Sequence, residues 1–400
     1  MICRTKLLMA LACVAMTASA WAADWPQFFG PNANGIAPDT GINKNWNENP
    51  PQELWKVALG DKGFAGPSVA DGKVFIIDHA GDQDVVRALD LQTGQDVWRY
   101  AYADTSKHNY GYARSTPTYA DGKLYTLSRL GLLNCLDAGS GNLIWSKDIR
   151  REFSGEKPTW DYAASPFIDG DRVIVSPGGA TSVVALNAAT GETVWAGGNS
   201  DKAGYATPVL ATIQGRRQYV VFTGYSLIGV DTEQGDVLWT VPWKTNYDVN
   251  AAMPLVIDDY IYVTSGYGHG CTLVQITPEG PKTHWVSKEI QAHFNSSIYY
   301  NQCFFGIGDP GYLVCLNPRD GKAMWKQRGF EKGGVVGVDD TIIAVNGKGG
   351  DVVMVSNSWE GYEELGRIKP LGGQSWTAPI VADGKLFVRN TSGMVCLDLM

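Results

Sequence analysis

Beyond residue 22 the chain has no stretch approaching the roughly eighteen uninterrupted apolar residues that a membrane-spanning helix needs. Its seven cysteines include no CxxC, no CxxCH and no adjacent pair, which argues against a zinc knuckle and against covalently attached haem. The five histidines, His79, His108, His269, His284 and His293, are scattered without the spacing of a metal site. Lys and Arg form no cluster and are outnumbered, 33 against 41 acidic residues, so nucleic acid is not expected as a partner. GYGHG, residues 266 to 270, is glycine-rich but has no helix after it, so it reads as a strand-connecting turn and not a phosphate loop. DHAGDQD, residues 78 to 84, bunches carboxylates without the spaced ligands of a calcium loop and reads as a solvated turn. Spacing alone shows no Ser/His/Asp arrangement.

The first residues carry a basic start (Arg4, Lys6), an apolar run from Leu7 to Met16 and a small-residue end, Ala20-Trp21-Ala22. These are the three parts of a secretory leader, with cleavage expected after Ala22 and a periplasmic or secreted destination. Cys13 is preceded by Ala10-Leu11-Ala12, a poor approach to a lipid-anchor site. Removing residues 1 to 22 takes away two basic residues and no acid, moving the formal charge from −8 to −10.

One phrase recurs. ALDLQTGQDVW (88 to 98) returns as CLDAGSGNLIW (135 to 145), ALNAATGETVW (185 to 195), GVDTEQGDVLW (229 to 239) and CLNPRDGKAMW (315 to 325), each with Gly seventh and Trp eleventh. QITPEGPKTHW (275 to 285) shifts its Gly one place earlier, and MVSNSWEGYEEL (354 to 365) ends in Leu365. A spacing of about 40 to 50 residues is the period of propeller blades. Each copy follows a second phrase: a small residue, Pro, an apolar run, Asp-Gly and another apolar run, as in GPSVADGKVFII (66 to 77). Asp-Gly at 71, 121, 169 and 383 marks tight hairpins, and Pro67, Pro117, Pro166, Pro208, Pro254 and Pro379 mark strand starts. Cys135, Cys315 and Cys396 stand where other copies have Ala or Gly, which makes them small core residues. Cys271 and Cys303 are placed where they could pair across neighbouring units.

Four antiparallel strands per repeat cannot hide both faces of one sheet, so repeats must stack and bury Trp98, Trp145, Trp195, Trp239, Trp285 and Trp325 between them. The expected fold is therefore all-β: an eight-bladed propeller over residues 51 to 400, with inner strands near 67, 117, 166, 208, 254, 298, 336 and 379. The last repeat stops at CLDLM without a Trp strand, and ELWKVAL (53 to 59) supplies the missing piece. Trp55 is thus expected to complete the last blade and close the ring, leaving residues 23 to 50 as an arm on the propeller surface.

These phrases resemble the pyrroloquinoline-quinone (PQQ)-type propeller repeat, A-x-D-x-x-T-G-x-x-x-W, over nearly all of the chain after the leader. DWPQFFGPNANG (24 to 35) is similar to the DWPQFRGP opening of exported bacterial PQQ-like propellers, with Phe29 where that motif has Arg. SPGG (176 to 179), GYGHG and QAHFN (291 to 295) extend the similarity.

Residues just before each inner strand should line the mouth of the central funnel, where propellers generally bind ligands. The aromatic candidates are Trp160, Tyr205, His293 and Trp376; the charged ones are Arg114, Asp161, Asp248, Glu331 and Lys332; the amides are Asn250 and Asn295. Such a set suits a polar ligand, a glycan or an envelope protein. The resemblance also implies a quinoprotein alternative: PQQ stacked on Trp160 or Trp376, its carboxylate met by Arg114, and calcium held by Asp161, Asp248, Asn250 and Glu331 in an alcohol or sugar dehydrogenase. Against it stand the missing adjacent-cysteine disulfide, the missing haem site and the absence of long insertions to roof an active site. The resemblance further implies scaffolds of outer-membrane protein assembly, which bind partner proteins by their loops. The expectation is a monomeric, exported binding scaffold with no catalytic residue, no metal and no cofactor.

Overall fold

A computed structural model describes residues 24–106 and 110–400, so the leader, the cleavage point after Ala22 and His108 lie outside the described residues. Its strands form eight sheets in a ring, seven of four strands and one of five. Among the described residues no helix is long and apolar enough to cross a membrane.

The gradient of burial across one blade explains the sequence pattern. Blade 1 consists of Ser68–Ala70, Lys73–Ala80, Gln83–Asp90 and Asp96–Ala103, from the axis outward. KVFIIDHA is covered on both faces by neighbouring blades and reads as an apolar run; DVWRYAYA, at the rim, alternates between exposed and partly covered positions. The other inner strands begin at Thr118, Phe167, Val209, Leu255, Ile298, Val335 and Ile380, as the repeat spacing predicts. Each predicted proline sits one residue before its strand and so withholds no N–H from the ladder. In the hairpins at 71, 121 and 383 the Asp and the Gly both have positive φ, as a type I′ turn requires. At 169 the turn moves on by one residue: Asp169 pairs with Arg172, and Gly170-Asp171 makes the bend.

The recurring phrase is a docking device. Its Asp or Asn folds the turn, as when Asp90 Oδ1 accepts from the Gln92 and Thr93 amides and the Thr93 hydroxyl. The Trp of the preceding blade lies on that turn and donates its indole N–H to a turn carbonyl: Trp98 to Ala138 (3.0 Å), Trp145 to Ala188 (3.1 Å), Trp195 to Thr232 (3.0 Å), Trp285 to Pro318 (2.7 Å) and Trp325 to Ser358 (2.8 Å). Trp239 departs from this. The next blade carries the shifted copy QITPEGPKTHW, whose tight Thr277–Gly280 turn offers no such platform, and Trp239 instead donates to Gln218 Oε1 of its own blade (2.6 Å). Cys135, Cys315 and Cys396 are fully buried, as expected of core residues.

Closure is as the incomplete last repeat predicts. Glu53–Ala58 pairs antiparallel with Gly393–Asp398, placing Trp55 opposite Cys396, and the Trp55 indole donates to Leu91 of blade 1 at 2.9 Å.

The arm corrects the expectation of a surface segment. Inner strands present unpaired edges to the central channel, and the arm satisfies several of them. Trp25 exchanges two 2.8 Å hydrogen bonds with Val69, Pro26 accepts from the Tyr119 amide, and Ile36–Ala37 pairs parallel with Gly337 and Val338 as the fifth strand of blade 7. Trp25 and Phe29 are consequently buried; Ile42 and Trp46 are buried farther out, Trp46 against Gly366 on the outer strand of blade 7.

Candidate functional site

The segments that lead into the inner strands converge at one end of the channel on a cavity of about 270 Å³. Of the residues expected at the mouth, Arg114, Trp160, Tyr205, His293, Asn295, Lys332 and Trp376 line it. Asp161, Asp248, Asn250 and Glu331 do not line it.

Those four are turned to structural work. Asp161 is buried and bonded by Arg129 Nη1 (2.9 Å) and by Lys157; Arg129 also clamps both oxygens of Asp104 at 2.7 Å. Burial alone would push the Asp161 pKa up, but Lys157 and Arg129 outweigh it and the carboxyl titrates below the ordinary aspartate range. Asp248 pairs with Lys202 (2.8 Å) and accepts from Thr159 Oγ1 (2.9 Å). Asn250 is fully buried; its amide donates to the carbonyls of Thr223 (2.7 Å) and Trp243 (2.9 Å), tying two loops together. Glu331 lies over Gly311 of a neighbouring turn.

What lines the mouth is an aromatic collar. Phe64 stacks on Trp376 (centroids 5.2 Å apart, planes 19°), Trp376 meets Phe294 (5.1 Å), and Phe294 adjoins His293 (6.3 Å). The chain of rings continues from His293 to Tyr267 (4.5 Å), Tyr247 (5.5 Å), Trp160 (5.9 Å) and Tyr110 (4.7 Å). Three of these rings are about half exposed, Tyr110, Tyr247 and Tyr267 at 50%, 55% and 45%, and they form one contiguous exposed patch. Phe28 and Phe29, from the arm, also line the cavity.

The charges that line the cavity, Arg114 and Lys332, are positive, while Asp309 sits on the lining His293 at 2.5 Å. Lys332 Nζ lies 5.5 Å from the Trp376 ring, and Lys62 Nζ lies 5.5 Å from Phe64 and 5.9 Å from Trp376. Arg114 donates to the Gly111 carbonyl at 3.1 Å, and burial lowers its pKa. Among the described residues no Asp or Glu lines the cavity. Backbone strain gathers at the same place: Phe29, Tyr247, Tyr267 and Lys332 all have positive φ outside two-residue hairpins, with Lys332 held by Asn295 Nδ2 on its carbonyl (2.7 Å).

Phe28, Phe29, Tyr110, Tyr267 and Phe294 are lining residues that the strand alignment misses. The signal for four of them was present in the motifs: Tyr267 sits in GYGHG, Phe294 in QAHFN, and Phe28 and Phe29 in DWPQFFGPNANG. In DHAGDQD the carboxylates do not converge on one ion. Asp78 pairs with Arg87 (3.2 Å) and Asp84 with His79 Nδ1 (2.9 Å). His79, Asp84 and Asp104 do bring ligand-type atoms within 4.8 Å of one another, but both Asp104 oxygens already face Arg129.

Comparison with known proteins places this architecture. A family model described as "Outer membrane protein assembly factor BamB" matches residues 81–327. The chain is similar to the outer membrane protein assembly factor BamB of Moranella endobia, 22% identical over 311 residues, which cover 70% of this chain and 73% of that protein. Among solved structures it resembles BamB from Moraxella catarrhalis, with TM-score 0.67 and 18% identity over 87% of this chain and 99% of that one. It resembles the quinohemoprotein alcohol dehydrogenase from Comamonas testosteroni equally in shape, with TM-score 0.67 and 14% identity over 94% of this chain and 80% of that one. At these identities the two structures share the fold alone.

Proposed function

The chain belongs to the propeller family described as outer membrane protein assembly factor BamB, and from that premise we propose that it is an exported, non-catalytic scaffold whose funnel mouth holds an acidic, aromatic-bearing segment of a partner protein in the cell envelope. The observation that carries this reading is the collar: a run of neighbouring rings from Phe64 to Tyr110, with Lys62, Arg114 and Lys332 beside it and no carboxylate among the described lining residues. Exposed aromatics and cations around a concavity are the residue types that dominate binding hot spots. Strained backbone at Tyr247, Tyr267 and Lys332 pre-orients those side chains before any partner arrives.

The dehydrogenase alternative fits these residues poorly. Calcium needs several oxygen donors, and the acids and amide once assigned to it, Asp161, Asp248, Asn250 and Glu331, stand outside the lining, three of them held by other partners. Trp376, a candidate stacking surface, is already stacked by Phe64 and has two ammonium groups over its ring.

The test is fluorescence anisotropy with a labelled acidic peptide containing aromatic residues and its lysine-substituted counterpart, using the protein from residue 24 onward. The acidic peptide should bind alone, more weakly as salt rises. Lys332→Ala should weaken it about tenfold, as expected for one charge-assisted contact, and Trp376→Ala should weaken it too. Equal binding of both peptides, or of neither, would remove the proposal. Tight calcium-dependent binding of PQQ by calorimetry, lost in Arg114→Ala and Trp376→Ala, would restore the dehydrogenase.

A further inference from the structure

We infer that Cys303 and Cys315 of blade 6 form a disulfide. The sequence suggested Cys271 as a partner for Cys303; the fold offers another. Cys303–Gly308 and Tyr312–Leu316 are neighbouring antiparallel strands in which Phe305 faces Cys315, so Cys303, two residues earlier, projects from the same face as Cys315, diagonally across the ladder. Their sulfurs are 2.8 Å apart, within an ångström of a bonded pair. Both residues are buried, at 1% and 0% exposure. Cys271 lies in blade 5 on Gly270–Thr277, in a sheet separate from that of Cys303, and Cys135 and Cys396 lie in other blades.

The chemistry is thiol–disulfide exchange. The Cys303 or Cys315 thiolate attacks a donor disulfide and releases one donor thiol; the second thiolate attacks the mixed disulfide, forms the Sγ–Sγ bond and releases the other donor thiol. Two protons leave the protein and two electrons reduce the donor. Because neither sulfur meets solvent in the folded ring, exchange must occur before blade 6 is covered by its neighbours. The folded protein then keeps whichever state it folded into. Small thiols added to native protein should neither make nor break the bond, which distinguishes a structural staple from a redox switch. An oxidising compartment supplies such donors.

The experiment refolds protein comprising residues 24–400 from denaturant in oxidised and reduced glutathione, and in parallel in dithiothreitol. Thiols are then counted under denaturing conditions, and non-reduced peptides are mapped by mass spectrometry. The chain after the leader has five cysteines. Three should remain reactive after refolding with glutathione and five after dithiothreitol, with a single linked peptide pair containing Cys303 and Cys315. The oxidised form should also melt at higher temperature. Cys315→Ser should show four reactive thiols under both regimes; Cys303→Ser serves equally if that variant fails to fold. Five reactive thiols after oxidative refolding, or a linked pair containing Cys271, would overturn the inference.

Discussion

Gly141, in the turn of blade 2, lies flat against the indole of Trp98 in blade 1: a Cβ built on it would stand 2.5 Å from Trp98 Cε3. The same relation holds for Gly94 on Trp55, Gly191 on Trp145, Gly235 on Trp195 and Gly321 on Trp285. The glycine and the tryptophan of each repeated phrase therefore serve different interfaces. The Gly receives the Trp of the blade before, and the Trp four residues later goes to the blade after.

Gly141→Ala should accordingly be costly. The residue has φ +75°, which charges an L-residue about 1–2 kcal/mol, and the methyl overpacks a filled interface, typically another ~1–3 kcal/mol. Gly361→Ala is the control, since Gly361 has no positive φ and nothing within 4 Å of its Cβ position. Chemical denaturation should show Gly141→Ala losing about 2–4 kcal/mol and Gly361→Ala staying within about 0.5 kcal/mol of the parent. A loss of only about 1–2 kcal/mol would mean that the turn glycine is conformational only, and equal effects would mean that neither its φ nor its contact with Trp98 matters.

The ring was legible because its determinants are local and repeated. An Asx turn, a positive-φ glycine and a tryptophan at fixed offsets need no knowledge of distant chain, and the incomplete last repeat announces the closing strand through Trp55. The mouth was legible only in position. Trp160 and Asp161 are neighbours in sequence, yet Trp160 joins the collar while Asp161, with φ +69°, turns inward to Arg129. No period distinguishes them, because the choice depends on a cation brought from another segment. Asn250 likewise looks like a ligand until Thr223 and Trp243 supply the carbonyls that consume its amide. The arm motif pointed to Phe28 and Phe29 but could not place them in the lining, because an arm can pair with inner-strand edges only once eight blades have created a channel.

Arg129 is the centre of the buried charge network beneath the mouth, holding Asp104 and Asp161 with side chains 1–2% exposed. Arg129→Met keeps much of the volume but leaves Asp104 without its clamp and takes one of its cations from Asp161. Removing one partner of a buried ion pair costs about 3–5 kcal/mol, and urea denaturation at neutral pH should show a loss of that order. The pH dependence gives a second readout. Asp161 titrates below its ordinary value in the folded protein, so its contribution is present above the unfolded pKa of about 3.9 and is lost as pH falls through the lower folded value. Asp84 opposes it: burial raises its pKa, so its contribution is lost as pH rises through that raised value. Arg129→Met should therefore lower stability above about pH 4 by a roughly constant amount and flatten the acid limb below it, where variant and parent converge. A parallel downward shift at all pH values would show that Arg129 acts through packing alone.

The arm gives the most direct test of the channel architecture. Trp25 is 2% exposed, its indole fills the space above Gly30, and its backbone exchanges two hydrogen bonds with Val69. A segment resting on the outside would tolerate Trp25→Ala almost silently. A segment seated in the channel leaves a cavity on truncation, with a cost of about 3–5 kcal/mol for a buried Trp. The arm should open before the ring unfolds, so part of that loss should appear as local opening. Hydrogen exchange should be slow at the amides of Trp25, Val69, Tyr119 and Gly337 in the parent protein, all of which are bonded across the arm interface. In Trp25→Ala those four should accelerate together, while amides between Lys73–Ala80 and Gln83–Asp90 keep their protection. Fast exchange at the same four amides in the parent protein would place the arm outside the channel. The floor beneath the collar would then belong to the blades alone, without Phe28 and Phe29.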